Sequence, residues 1–181
     1  MSEYRRAFVP GGTFFFTVVT HQRQPLLTKA WCREALHQAI SRTRETHPLD
    51  IIAWVLLPDH MHAIWRLPQG DSDFSLRWSL IKQSVTRVHA ARLESQRLSK
   101  SRGKRREGGL WQRRFWEHQI RDDNDLARHV EYIHYNPVKH GHVARVIDWP
   151  YSTFHRFVRN GDFPEDWAGV SALNMEGGFG E

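Results

Sequence analysis

Cysteine is almost absent from this chain. Cys32 is the single one, which excludes both an internal disulfide framework and a cysteine-based zinc cluster. No apolar run approaches the roughly 18 residues that a membrane span requires, and the opening MSEYRRAFVPGG has no apolar signal core. A cytoplasmic protein with no membrane partner is therefore expected, associated with the nucleoid if its partner is DNA. Acidic residues are also in deficit. Against 26 Lys+Arg stand 20 Asp+Glu, a net charge of +6, and the sequence pI of about 9.9 points to a polyanionic partner, nucleic acid foremost. What the chain does have is apolar residues enough for one core, 40% of 181 residues. A single domain over residues 1–160 is expected, with a Gly-rich tail over 161–181 that shows no period.

Strand and helix patterns alternate along the chain. TFFFTVVT, Thr13 to Thr20, is β-branched and aromatic and follows a Gly-Gly punctuator, so it reads as a buried strand. TKAWCREALHQAISRTRETH then places Trp31, Ala35, Leu36, Ala39 and Ile40 on one helical face and is closed by Pro48. IIAWVLL and HMHAIWRL flank Pro58-Asp59 as an antiparallel hairpin. DFSLRWSLIKQSVTRVHAARL carries the stripe Trp78, Ile81, Val85, Val88. A basic, Gly-flanked insertion occupies about residues 95–109, with Lys100, Arg102, Lys104, Arg105 and Arg106. LWQRRFWEHQI suits a fourth strand, DNDLARHVEYIHYN a third helix begun by an Asp/Asn cap, and YSTFHRFVRN a short last helix. The order β-α-β-β-α-β is the split βαβ of an α+β, ferredoxin-like or RRM-like fold, with extra C-terminal helices. Helices are expected on one sheet face, with the other left open.

The stretch PDHMHAIWRLP, Pro58 to Pro68, raises the question of chemistry. Side chains alternate on a strand, so Met61, Ala63, Trp65 and Leu67 pack inward and His60 and His62 share the other face. That spacing suits two ligands to one divalent ion; it is equally the spacing of two polar residues on a half-exposed strand. In DLARHVEYIHYNPVKHG, the residues Leu126, Val130, Ile133 and Pro137 form a core-facing stripe. Tyr132 and Asn136 are i and i+4 neighbours on its flank, in one row with Asp125 and His129, while Tyr135 points the opposite way, toward solvent. Taken alone, such a tyrosine reads also as a packing residue and such an Asn-Pro as a helix terminator.

The combination of AWVLLPDHMH, LWQRRFWEHQIR and HVEYIHYNPVKHGHV with DWPYSTFH resembles the REP-associated tyrosine transposases. These are bacterial relatives of the single-tyrosine insertion-sequence transposases, within the HUH class of single-strand nucleases. The likeness runs from EYRRAFVPGGTFFFTV to about Trp167, and the long ESQRLSKSRGKRREGG insertion departs from it. The resemblance implies that His60, His62 and Asn136 hold a divalent metal, Mg²⁺ or Mn²⁺, and that Tyr132 attacks DNA. It implies as substrate single-stranded palindromes of the REP type, folded into hairpins with a tetranucleotide at their foot. Arg5, Arg6, Arg113, Arg114, Lys104, Arg105 and Arg106 are expected to touch DNA, each with the alternative of a solvated charge. A monomer is expected rather than a dimer. Two other functions stay open: a non-catalytic regulator that binds the hairpin, and a rolling-circle replication initiator, which the missing helicase or origin-binding domain disfavours.

Overall fold

The computed structural model describes residues 9–88 and 109–169. Four strands, β1 (Thr13–Val19), β2 (Asp50–Leu56), β3 (His60–Arg66) and β4 (Trp116–Gln119), form one sheet in the order β2-β3-β1-β4 with every neighbour antiparallel. With α1 (Ala30–Thr46) between β1 and β2, and α2 (Phe74–Val88) before β4, this is the expected α+β split βαβ. After the sheet come α3 (Asp123–Lys139) and α4 (Phe154–Asn160).

Alternation divides the sheet into two chemistries. On one face Phe14, Phe16, Val18, Met61, Ala63 and Trp65 meet α1 and α2 through Cys32, Leu36, Trp78, Ile81 and Val85, with the Trp65 and Trp78 rings stacked at 4.1 Å. On the other, Phe15, Ala53, Val55 and Ile64 meet Val130, Tyr132 and Ile133 of α3. This face is therefore not open as the sequence pattern suggested. A central strand with Phe14, Phe15 and Phe16 all at 0% exposure has apolar side chains pointing both ways, and each buried Phe is worth about 1.5–3 kcal/mol only if both faces are covered.

Three expectations about element limits need adjusting. Val88, at the C-terminal end of α2, is 57% exposed, one turn beyond the last residue that the sheet reaches. The fourth strand is shorter than LWQRRFWEHQI. Leu110 and Trp111 join the far end of β1 through an isolated bridge, Thr20 to Trp111, and the ladder resumes only at Trp116 because Gln112, Arg113 and Arg114 turn out to solvent. Finally, α3 runs through Pro137 and stops two residues later, where Gly141 at φ +70° closes a Schellman motif. Its signature is His142 N–H donating to Pro137 O and Gly141 N–H to Val138 O, both at 2.9 Å. Beyond it, the segment before α4 covers the outer edge of β2, with Leu56 N–H donating to Tyr151 O at 2.9 Å and Thr153 N–H to Trp54 O at 3.0 Å. The first residues of the Gly-rich tail are packed as well, Phe163 lying 5.9 Å from the ring of Phe154 and 4.8 Å from that of Trp167.

Two buried polar groups stabilise this frame in a pH-dependent way. Arg77, 1% exposed, donates to Asp71 at 2.6 and 3.2 Å and to the carbonyls of His47, Pro48 and Asp73. The Arg77 hydrogen bond holds the Asp71 carboxyl below its ordinary range, so this stability is present above about pH 4 and is lost as pH falls through the depressed value. Asp71 is a third exposed, so Asp71→Asn should cost only about 1 kcal/mol, whereas Arg77→Met, which strands the carbonyls, should cost about 3–5 kcal/mol in urea unfolding.

His134 works with the opposite charge. Its Nε2 lies 3.1 Å from Thr153 Oγ1, the ring is 0% exposed, and burial, aided by the Arg156 cation, pushes its pKa down to about 3. The unfolded chain takes up this proton below about pH 6.5, the folded chain does not, so stability is full above that pH and falls as pH drops. The expected slope is about 1.4 kcal/mol per pH unit between pH 6 and 4, and His134→Leu should remove it from a series of unfolding curves. Equal slopes in both proteins would show that His134 is not the group responsible.

Candidate active site

The two histidines stand at the start of β3. Leu57 N–H donates to His60 O at 2.9 Å across the Pro58-Asp59 turn, and the β1 register then sets Val19 opposite His60 and Thr17 opposite His62. Each imidazole is held through Nδ1. That of His60 lies 2.7 Å from Asp59 Oδ1, and that of His62 shares a 2.9 Å hydrogen bond with Thr17 Oγ1. Burial raises the pKa of Asp59, but the bonds to His60 and Arg23 outweigh it and hold the carboxyl below its ordinary range, so it remains an anion that orients its neighbour. The rings are 5.0 Å apart and near perpendicular at 79°. They are not half-exposed: His60 is 2% and His62 0% accessible, because α3 lies across them.

α3 begins where the Asp122 side chain accepts from Asp125 N–H at 2.8 Å, an N-cap to N3 bond. Every fourth residue thereafter faces the sheet. Tyr132 sets its ring 5.3 Å from that of His62, and His140, two turns further on, sets its own 5.2 Å from His60. Asn136, 0% exposed, occupies the turn between them, so the row Tyr132, Asn136, His140 lies along the histidine pair. Lys139 Nζ donates to Tyr132 Oη at 3.3 Å and stands 4.9 Å over its ring. Lys139 and His140 are exposed and form the rim of an otherwise buried row.

Thus His60, His62, Tyr132 and Asn136 are brought together from two elements far apart in sequence. Arg113 and Arg114 are exposed and precede Trp116, which pairs with Thr17, at the histidine end of the sheet. Arg5, Arg6, Lys104, Arg105, Arg106 and the basic insertion up to residue 108 lie outside the described residues. Tyr135 does point away from the histidines but not into solvent: it lines a cavity with Val138, Val146 and Trp167, and a Cβ on Gly169 would lie 2.4 Å from its ring. Four residues of the site escaped the sequence pattern. Lys139 and His140 are i+7 and i+8 from Tyr132, a spacing that helical geometry makes readable; Asp59 adjoins His60. Thr17 gives no local signal, because only the strand register sets it against His62.

Comparison with known proteins places this geometry among relatives. Residues 12–136 match the family described as Transposase IS200 like. A REP-associated tyrosine transposase of Escherichia coli K12 is 49% identical over 170 residues, 93% of this chain and 92% of its own. A protein of Haemophilus influenzae Rd whose name places it in the same group is 46% identical over 180 residues, 98% of this chain and 99% of its own. A solved structure of a REP-associated tyrosine transposase bound to a REP hairpin superimposes with a TM-score of 0.83 at 46% identity, covering 100% of this chain and 98% of that one.

Proposed function

This chain belongs to the IS200-like transposases and, within them, to the REP-associated tyrosine transposases, and from that premise we propose that it cleaves and rejoins single-stranded DNA at REP-type hairpins through a covalent 5′-phosphotyrosine on Tyr132. The observation that carries this reading is the seating of Tyr132 between the His62 ring, 5.3 Å away, and the Lys139 ammonium, 3.3 Å from its hydroxyl. A nucleophile, a cation to stabilise it and a histidine pair thereby converge on one small volume.

His60, His62 and Asn136 fit a divalent ion. Two imidazoles whose Nδ1 atoms are tied to oxygens, so that Nε2 is the ligating atom, and one amide oxygen make a mixed N/O donor set. Mg²⁺ or Mn²⁺ held by these three residues would supply Lewis-acid polarisation of the scissile phosphate. The remaining work falls to the protein. Lys139 stabilises negative charge on the phenolic oxygen as the proton leaves. Tyr132 Oη attacks phosphorus, the bond to the 3′-oxygen breaks, and the 3′-hydroxyl formed is free to attack the phosphotyrosine later, so the phosphodiester energy is conserved without ATP. DNA reaches the buried row past the exposed rim of Lys139 and His140, and the cations Arg113 and Arg114 extend the anion-binding surface at that end.

The test is incubation of the full chain with labelled single-stranded hairpins of the REP type, with Mg²⁺ or Mn²⁺. A protein-DNA adduct stable to denaturation, together with a new 3′-hydroxyl end, supports the proposal. Hairpin binding with neither product under any metal condition would instead favour the non-catalytic regulator. Lys139→Gln should lower the cleavage rate by about 10²-fold, the scale of one preorganised charge interaction at a reacting oxygen, and move the rate optimum to higher pH. An unchanged pH profile would remove Lys139 from the reaction.

A further inference from the structure

A second cluster of ligand-type side chains lies on the same sheet face, at the edge strand. His118, on β4, points its Nε2 at Asp125 Oδ2, 2.9 Å away, and His129 Nδ1 is 3.2 Å from Asp125 Oδ1. One ligating atom from each of the three residues lies within 4.8 Å of the others, and the two imidazoles stack at 4.7 Å with 10° between their planes. The side chains of Asp125 and His129 are 7% and 8% exposed, that of His118 24%. We propose that His118, Asp125 and His129 form a second divalent-cation site, separate from that of His60 and His62, and selective for a zinc-class metal over Mg²⁺.

The donor set argues for the class. Two imidazole nitrogens and one carboxylate oxygen are the ligands of a three-residue zinc site that leaves one position to solvent, and His118 is the side chain that opens to solvent. Bonds of about 2.0–2.2 Å put tetrahedral ligand atoms about 3.3–3.5 Å apart, so separations of 2.9 and 3.2 Å need widen by only a few tenths of an ångström. Protonation also fits. Burial raises the Asp125 pKa, but the bonds from His118 and the Arg121 N–H prevail and keep it low, while burial holds His129 below its ordinary value. The pair is thus in its ligating forms, carboxylate and neutral imidazole, at neutral pH. The groups facing the cluster are the Arg121 N–H at 3.0 Å, the Trp116 ring stacked at 6.0 Å from His118, Phe15 at 4.9 Å from His129, and Arg128. The Arg128 guanidinium lies 3.5 Å from Asp125 Oδ1 but is 65% exposed, so it can swing away when a cation binds.

Such a site would join two parts that are otherwise weakly connected. β4 pairs only with β1, and Asp125 and His129 sit in the first two turns of the helix that carries Tyr132. Phe15 touches both His129, at 4.9 Å, and Tyr132, at 6.0 Å. A metal fixing His129 to β4 therefore fixes the entry of the tyrosine helix onto the sheet. The spacing His-x6-Asp-x3-His, HQIRDDNDLARH, is visible in the sequence once the strand and helix are known to touch.

The experiment is zinc titration of the full, chelator-stripped chain against a chromogenic chelator, with stoichiometry checked by native mass spectrometry. In a His60→Asn/His62→Asn background one zinc should remain bound, and adding His118→Gln and His129→Gln should abolish it. Zinc retained after those changes, or absent before them, overturns the proposal. If the multiple variant does not fold, two measurements still decide. His118→Gln in the otherwise unaltered chain, a change at a partly exposed edge position, should lose at least about tenfold in zinc affinity, since even outer partners of a metal ligand carry that much. Co²⁺ should give an intense visible absorption in the unaltered chain that is reduced in His118→Gln; equal affinity and equal spectra refute the site. None of these readouts uses DNA cleavage, so failure here leaves the proposal for Tyr132 untouched, and the reverse holds.

Discussion

Tyr132→Phe should reduce hairpin cleavage by at least about 10⁴-fold, the scale on which removal of a nucleophile is felt, and should abolish the denaturation-resistant adduct. The substitution deletes one oxygen and no volume. The ring keeps its places 5.3 Å from His62 and 6.0 Å from Phe15; what it loses is one 3.3 Å bond from an exposed lysine. Stability should therefore change by less than about 1 kcal/mol, and hairpin affinity, measured by gel shift, should stay within a few-fold. Tyr135→Phe serves as the control, since Tyr135 faces Val138, Val146 and Trp167 and should cleave normally. An adduct of undiminished yield from the Tyr132 variant would sink the assignment of the nucleophile.

Removing the histidine pair should be nearly as severe for activity but differs in its effect on the fold. Loss of either ligand should cost several kcal/mol of transition-state stabilisation, about 10³-fold or more in rate, and chelation of the divalent ion should do the same to the unaltered protein. From the strand pattern alone, His60→Ala and His62→Ala are expected to leave the domain intact, because both side chains avoid the α1-α2 core. Their burial at 2% and 0% changes that. Alanine would leave a cavity under α3 and strip Asp59 and Thr17 of their partners, costing about 2–4 kcal/mol. Asparagine, which keeps a polar side chain near Thr17 and Asp59, is the informative replacement. Measured by urea unfolding and by cleavage over a Mn²⁺ titration, the Asn variants should remain folded and inactive. Cleavage at the unaltered rate, with the same metal dependence, would exclude the pair as ligands.

The legible parts of this protein are those written at short range. Period-2 alternation in TFFFTVVT and HMHAIWRL put Phe14, Phe16, Met61, Ala63 and Trp65 on one face and His60 and His62 on the other, and the ladder kept that division. The period of 3.6 placed Val130 and Ile133 on the buried side of α3 and Tyr132 and Asn136 in one row. Pro58-Asp59 marked the hairpin, and Asp122 capped α3 as Asp/Asn caps do. Errors arose where a local rule met a distant partner. Pro137 does not stop α3 at once, since burial against the sheet compensates one lost backbone bond near a terminus. Tyr135, polar-facing by period, is covered by a tail segment that has no period at all.

Local chemistry therefore determined the elements, their order, the fold class and the identity of the residues that carry the site, because φ/ψ preference, capping and side-chain periodicity depend on neighbours within a turn or two. Tertiary structure alone decided that α3 lies across the second sheet face and buries His60 and His62. It set Thr17 and Asp59 on the two Nδ1 atoms, brought Lys139 to the Tyr132 hydroxyl, and closed His118 on Asp125 and His129. Those contacts join residues from different elements, and their formation is governed by the docking of whole apolar faces, a free energy that depends on the total area buried and not on any spacing along the chain.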